Sequence, residues 1–404
     1  MMQSTMPRLN KQADRKMKIP ASLRISLFFV FIIGFIPQFL GILSLTSTNI
    51  IVLFFLLLFS VRSLNARMPA TTVFFLATSF YIFMAGIITE SSPTSLMVYF
   101  YYLLTTHLSL KCARLAVEKR YLTQEKVFKY LPIFLCLQIS FGILQNILSV
   151  QISQISKMPV SPVDVASGTF YLTSDASLGF FCLISSIFAF ATNQATKTKY
   201  LTLFLCAFAV SLTDSKATQL VFLATFFSLI VFDILSKVNS HKTLIAFVIP
   251  FAVLAILIVF FENFYWVQSL VNETLTDAYD KRFASIGASR LAPIGEMLYG
   301  DTPFFGHGLL AYYNPIDKNW LYNSGSSLFY TIFIDCGLLA TILVYSFFLY
   351  FIYQHEKRIF YIFLYFSAFF SFSFFNFSLT DIAAIFALGS YLNLQQTNPR
   401  RKNA

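Results

Sequence analysis

Arg282 and Arg290 stand eight positions apart in "DKRFASIGASRLAPIGEMLYGDTPFFGHGLL". On a helix that spacing is about two turns, so both guanidinium groups can face one way. A pair of arginines held against a membrane makes a phosphate clamp, because each planar fork takes two oxygens at once. The plain alternative is a pair of solvated surface arginines. A third cation, Lys216, lies well upstream in "VSLTDSKATQL", two residues after Asp214 and between the apolar runs "LTLFLCAFA" and "VFLATFFSLIVF". Ionisable groups inside hydrocarbon are costly and point to function by default. Two readings of this stretch stay open. Either the charges sit in a solvated turn between two helices, or a single helix breaks here and aims its polar ends at a charged substrate. Downstream, Gly306 and Gly308 flank His307 in "FFGHGLL". Glycines at that spacing give a tight turn with exposed backbone amides. An imidazole titrates close to neutral pH, so His307 could move a proton, although a lone loop histidine is more often merely polar.

What is missing narrows the chemistry. No His, Cys and carboxylate residues cluster at metal-ligand spacing, no phosphate-binding glycine loop or dinucleotide fingerprint occurs, and there is no serine nucleophile elbow. No metal and no cofactor is therefore expected. Asp233, Asp335 and Asp381 fall near the ends of apolar runs, a sparse set for an ion-coupled carrier, which keeps ionisable groups near the bilayer midplane.

The elements that must position these groups are membrane helices. The 404-residue chain is 57% hydrophobic and 12% charged, where soluble domains carry about 25% charged residues. Runs near the length a bilayer demands fall at 23–44, 48–61, 70–89, 94–110, 127–150, 173–191, 200–212, 217–236, 244–262, 327–352, 359–377 and 379–393. The expected architecture is all-α, about twelve spans forming a single membrane domain over 1–404. A shorter outer loop covers 151–172, and a large outer (periplasmic) loop over 263–326 carries the candidate site. The first run follows a basic segment but has no clear cleavage site, so it reads as a first helix and not a signal peptide. With both termini in the cytoplasm, 23 of the 29 Lys and Arg residues lie inside, as the positive-inside rule asks. This accounts for the net charge of +11 without nucleic acid. The fifty Phe read as lipid-facing bulk, and the five cysteines avoid the long loops, so no disulfide framework is expected.

Four stretches, in this order, resemble the O-antigen polymerase and ligase superfamily (Wzy-type polymerases and their ligase relatives). "ASGTFYLTSDASLGFF" (166–181) is similar to the family's Gly-Thr-Phe segment leading into a span. "SLTDSKATQLVFLATF" (211–226) resembles its Leu-Thr-x-Ser-Arg motif, with Lys216 in place of arginine. "SRLAPIGEMLYGDTPFFGHGLL" (289–310) resembles an arginine followed by Phe-Gly-x-Gly, and "SSLFYTIFIDCGLLATILVY" (326–345) the return into the membrane. The resemblance implies a metal-independent glycosyltransferase in the bacterial inner membrane that joins undecaprenyl-diphosphate-linked repeat units into O-antigen or capsule. A flippase and a chain-length regulator are the partners it implies. Arg290 and Lys216 would grip the diphosphate with Arg282 as an auxiliary contact, His307 would be the candidate proton carrier, and Asp214, Gly306, Gly308 and Ser326 would line the substrate. The ligase branch has a His-Asn pair where Ser326 and Ser327 stand here. Transfer of a finished chain to lipid A core, or carriage of a lipid-linked oligosaccharide, are the rival expectations.

Overall fold

The computed structural model describes residues 54, 56–58, 60, 70–155, 166–170, 175–192, 194–213, 215–235, 304–311, 313–314, 319–320, 327–376 and 378–396. The expected spans at 23–44 and 244–262 lie outside the described residues, as do most of 48–61 and most of both long loops. The helices are α1 (Ala70–Ile88), α2 (Pro93–Glu118), α3 (Gln124–Ile147), α4 (Ser149–Ile155), α5 (Asp175–Ala191), α6 (Thr196–Ser211), α7 (Lys216–Leu235), α8 (Leu328–His355), α9 (Ile359–Phe375) and α10 (Ile382–Gln396). One 3₁₀ turn, Ser378–Thr380, precedes α10. A two-residue antiparallel ladder, β1 (Tyr313–Asn314) with β2 (Asn319–Trp320), pairs Tyr313 with Trp320. Among the described residues α1, α3 and α8 are long and apolar enough to cross a bilayer, and Ala176–Ala191, Thr218–Ile234 and Ile359–Phe374 form shorter apolar helices. The chain is a helical membrane protein.

Local chemistry sets several helix starts. The Ser92 side chain accepts from the Ser95 amide with Pro93 in the first helical turn, and Thr123 does the same for Lys126. Both are N-caps that satisfy an otherwise orphaned amide. α2 continues past the expected end at 110. Its last two turns carry Lys111 and Arg114, which read as the edge of the membrane, yet Ala113 and Ala116 are fully buried. They face α10, where a Cβ on Gly389 would stand 3.0 Å from that of Ala113. Small residues let two helix backbones approach this closely.

α5 is the central post. Every residue from Ala176 to Thr192 is buried, and so is every residue of α10 from Ile382 to Gln395. A helix enclosed on all sides must be apolar all round, which is how both segments read. Much of the phenylalanine belongs here and not on the lipid face. Phe180 stacks on Phe372 at 4.5 Å, Phe188 on Tyr391 at 4.5 Å and Phe348 on Phe369 at 3.8 Å. Such pairs contribute roughly 0.5–1.5 kcal/mol each beyond the area they bury. Phe80, Phe204 and Phe208 do face outward. The expectation of lipid-facing bulk therefore needs correcting: the rings divide between lipid and core.

Polar bonds tie the ends of the helices together. The Gln124 amide donates to Leu394 O and that of Gln396 to Gln354 O. Lys199 pairs with Asp233 at 2.8 Å. Arg358 Nη2 donates to Ala191 O at 2.7 Å and to Glu356 Oε2 at 3.0 Å. The α2–α3, α5–α6 and α8–α9 turns and the ends of α7 and α10 thus share one end of the bundle. Lys119, Arg120, Lys126, Lys197, Lys199, Lys357 and Arg358 are all there, a basic end opposite the one where α7 begins. The five cysteines are free.

Glu356 is fully buried and also accepts from the amides of Lys357 and Arg358, both at 3.0 Å. Removing its guanidinium partner leaves a carboxylate charge inside the bundle. Arg358→Leu should lower stability by on the order of 2 kcal/mol, below the roughly 3–5 kcal/mol of a fully enclosed pair, because the Arg358 side chain is 38% exposed. Adding Glu356→Gln should recover part of the loss, as read from thermal unfolding in detergent.

Candidate functional site

At the end opposite the basic one, non-helical backbone enters the bundle in two places. The first is the turn 304–311. α8 is kinked at Gly337 (φ 82°, ψ 178°), and the turn fills the gap the kink opens. His307 N donates to Ile334 O at 2.8 Å and Gly308 N to Asp335 O at 3.1 Å. Leu309 N donates to Ser91 Oγ at 2.7 Å, and Leu310 N to Asp335 Oδ2 at 2.9 Å. That same carboxylate oxygen accepts from Tyr99 OH at 2.5 Å. Asp335 and Tyr99 are buried, so one acid on α8, one phenol on α2 and one serine before α2 hold the turn. Two glycines permit the approach. A Cβ on Gly337 would fall 2.0 Å from Phe304 O, and one on Gly306 (φ 76°) 2.5 Å from the Asp335 carbonyl. Asp335 lies seven residues into α8, about 10 Å along its axis, so this backbone sits below the end of the helix.

The second is the turn 166–170, within the shorter loop. Gln138 and Gln145 stand seven apart on α3 and so share a face. Gln145 Oε1 accepts from Gly168 N at 2.8 Å while its Nε2 donates to Gly168 O at 2.9 Å. Gln138 Oε1 accepts from Thr169 N at 2.8 Å and its Nε2 donates to Thr169 Oγ1 at 2.6 Å. Both amides are buried, and Gln145 supplies the donor and acceptor that a neighbouring strand would have offered, while Gln138 serves the Thr169 amide and hydroxyl. Gly168 has φ 64°, and a Cβ there would meet Gln138 Oε1 at 2.1 Å. The same face of α3 also touches the α6–α7 turn: Asn146 Nδ2 donates to Leu212 O at 3.4 Å, and Gly142 lies against Leu212. Two of the four resembling stretches are thus brought together on α3, and the other two on the α8 kink.

The α6–α7 stretch is a hairpin. Lys199 near the start of α6 meets Asp233 near the end of α7, so the two helices fold back side by side and do not form one interrupted helix. Thr213 O accepts from Gln219 Nε2 at 2.6 Å, and Ser215 Oγ and Thr218 Oγ1 share a bond of 2.8 Å. Lys216 is the first residue of α7, where helix amides and the helix dipole favour an anion.

The expected site residues divide as follows. His307 is exposed on the locked turn. Gly306 and Gly308 make that turn as expected, with positive φ, but the amides around them are not open to a phosphate, since the four from His307 to Leu310 all donate within the protein. Arg282, Arg290, Asp214 and Ser326 lie outside the described residues; Ser327, beside the last, is the N-cap of α8. Asp335, Tyr99, Gln138 and Gln145 had no assigned role from sequence. The paired glutamines carried a usable signal, two amides on one face of an apolar helix. Asp381 is a third buried carboxylate; it accepts from Ser177 Oγ and caps α10 through Ala384 N at 3.0 Å. No group of three potential metal ligands stands together among the described residues. The chain matches no protein-family model, no curated protein and no solved structure.

The geometry ranks the glycines. Gly337→Ala should be the most damaging, followed by Gly306→Ala, both through backbone contact. Gly308→Ala should be milder, because the added carbon meets only the Ser91 and Thr89 side chains at 3.2 and 3.3 Å. Each carries a backbone strain of roughly 1–3 kcal/mol besides. Thiol labelling of a cysteine placed at the buried position 309 should speed up most with Gly337→Ala and least with Gly308→Ala.

Proposed function

We propose that this protein is an oligosaccharide repeat-unit polymerase of the bacterial inner membrane, acting on undecaprenyl-diphosphate-linked chains at the outer face. In this reading the chain crosses the membrane about twelve times with both termini in the cytoplasm, the basic end is cytoplasmic, and the 263–326 loop is periplasmic. The acceptor's sugar hydroxyl forms the new bond to the donor's anomeric carbon. The bond from that carbon to the diphosphate oxygen breaks, and its electron pair leaves with undecaprenyl diphosphate. Arg290 and Lys216, assisted by Arg282, stabilise the charge that gathers on the departing oxygens, the kind of preorganised electrostatics that usually supplies the largest catalytic share. His307 takes the hydroxyl proton, Asp214 and Ser326 line the substrate, and Gly306 and Gly308, packed against α8 and Ser91, shape the turn that carries His307.

The observation that carries the reading is Lys216 at the first position of α7. A cation stands at a helix N-terminus, at the end of the bundle opposite the cluster of Lys119, Arg120, Lys126, Lys197, Lys199, Lys357 and Arg358, inside one of four stretches whose order resembles the polymerase superfamily. A site for a lipid-borne anion accounts for a lysine placed there. The locked turns support it as well, because one fixes backbone within the 263–326 loop and the other within the 151–172 loop. Ligation to lipid A core uses the same chemistry with another acceptor, and genetics separates the two.

Lys216→Ala and Arg290→Ala in the native host should each abolish long glycan chains while leaving single repeats on the lipid A core. Long chains in both variants would remove the site assignment. A deletion strain should likewise show one repeat per core on a glycan gel, whereas bare core points to the ligase.

A further inference from the structure

We infer that Gly179 is a positioning residue for Lys216, leaving a notch in α5 where Thr218 seats the first turn of α7; the role rests on the polymerase reading. Gly179 is buried within α5. A Cβ built on it would stand 2.2 Å from the Thr218 methyl carbon and 3.2 Å from Thr218 Cβ. Glycine is a poor choice inside a helix unless something else requires it. No positive φ does so here; the close approach of α7 does.

Thr218 is held by both of its branches. The methyl lies in the notch, and Oγ1 shares a bond of 2.8 Å with the hydroxyl of Ser215, the residue just before α7. Beside it Gln219 donates from Nε2 to Thr213 O at 2.6 Å and from its backbone amide to Ser215 O at 2.9 Å. The first turn of α7 is thus tied to the hairpin by polar bonds and seated on α5 by a methyl group. Lys216 is the first residue of that turn, so whatever places Thr218 places the Lys216 backbone as well.

If the notch were filled, α7 and not α5 would move. α5 is pinned on either side of Gly179: Ser177 Oγ donates to Asp381 Oδ2, Leu178 packs against Gly168, and Phe180 stacks on Phe372 at 4.5 Å. α7 is fixed at its far end, where Phe232 stacks on Phe360 at 4.0 Å and Asp233 pairs with Lys199, about 24 Å along the helix from Lys216. Carbons in contact stand ~3.5–4.0 Å apart, so an added Cβ pushes the Thr218 methyl back by roughly 1.5 Å. A helix held at its far end carries its near end through a similar distance. Turning the Thr218 side chain instead breaks its bond to Ser215, and a β-branched chain has few rotamers to turn to. Misplacing a group that acts on the transition state by about 1 Å costs on the order of a hundredfold in rate.

The test measures long-chain formation by the full-length protein in membranes supplied with the lipid-linked repeat units that a deletion strain accumulates. Gly179→Ala should lower the rate about a hundredfold, with the loss in kcat and little change in KM, as for a charge that acts on the departing group. Thr218→Ser deletes the methyl and keeps the hydroxyl, leaving 3.2 Å between the two Cβ positions. Alone it should stay near the wild-type rate, and combined with Gly179→Ala it should recover most of the loss. Independently of activity, outer-face thiol labelling of a Lys216→Cys variant should change with Gly179→Ala and return with Thr218→Ser. No loss in Gly179→Ala, a loss that Thr218→Ser leaves in place, or labelling that ignores Gly179→Ala would overturn the proposal. Should Gly179→Ala not fold, the double variant should, and a double variant that fails as well also overturns it. Wild-type chain formation by Lys216→Ala removes the polymerase site, and the thiol labelling then judges the notch by itself. Loss of chains in Lys216→Ala, alongside labelling that Gly179→Ala does not move, keeps the site and removes the notch.

Discussion

Backbone that leaves the helix inside a bilayer must find every hydrogen-bond partner within the protein, because hydrocarbon offers none. The turn 304–311 meets that demand with four consecutive amides given to Ile334 O, Asp335 O, Ser91 Oγ and Asp335 Oδ2. The α8 kink and the turn are thus two halves of one arrangement. Opening α8 at Gly337 leaves carbonyls without helical partners, and the incoming amides satisfy them. Neither half has a stable place without the other, which is why both glycines sit where a side chain would strike backbone. Asp335 closes the arrangement, since Tyr99 on a different helix binds the same oxygen that holds Leu310. One carboxylate thereby couples α2, α8 and the chain returning from the large loop.

The glutamine clamp solves the same problem with neutral groups. A primary amide presents a donor and an acceptor side by side, so Gln145 can match both polar atoms of Gly168 with one side chain. No charge has to be desolvated, an advantage where burial of an ion is expensive. The price of fit is borne by glycine: with φ 64° and Gln138 Oε1 in the space a Cβ would need, no other residue sits there easily. The Gly-Thr pair that stood out in the sequence is therefore explained by local packing, whatever the substrate.

Helix placement was legible because the bilayer imposes a length and a polarity on each span; the described bounds 328–355, 359–375 and 382–396 fall close to the apolar runs at 327–352, 359–377 and 379–393. α2 runs on past the apolar run at 94–110, where Lys111 and Arg114 mask an alanine face at 113 and 116 that packs on α10. The positive φ at Gly306 and Gly308 was legible as a tight turn, but not the fate of its amides. Their partners are set by Ser91 and Asp335, the former 218 positions away. Asp335 itself read as a residue near a span end, and its bond to Tyr99 crosses 236 positions. Local pattern carries no trace of such pairs. Phenylalanine was misread for a related reason: in an apolar chain a ring against lipid and a ring against another ring look alike until the helices are placed.

Both locks lie at the end of the bundle opposite the cluster of Lys119, Arg120, Lys126, Lys197, Lys199, Lys357 and Arg358, and each holds a turn within one of the long loops. That placement matters for any reaction on a lipid-borne substrate. Within the 263–326 loop the segment 304–311 is bonded into α8 about 10 Å along the helix, which fixes that part of the loop's backbone. At the other edge, α3 grips the 166–170 turn and the α6–α7 hairpin on a single face, so the N-terminus of α7 is fixed from the side as well as from below through Gly179. Preorganisation of charge costs stability in water but far less where the supporting backbone is already satisfied and dry. Among the described residues the anchors that fix non-helical backbone inside the bundle are two glutamines, one buried aspartate and the glycines that let them close.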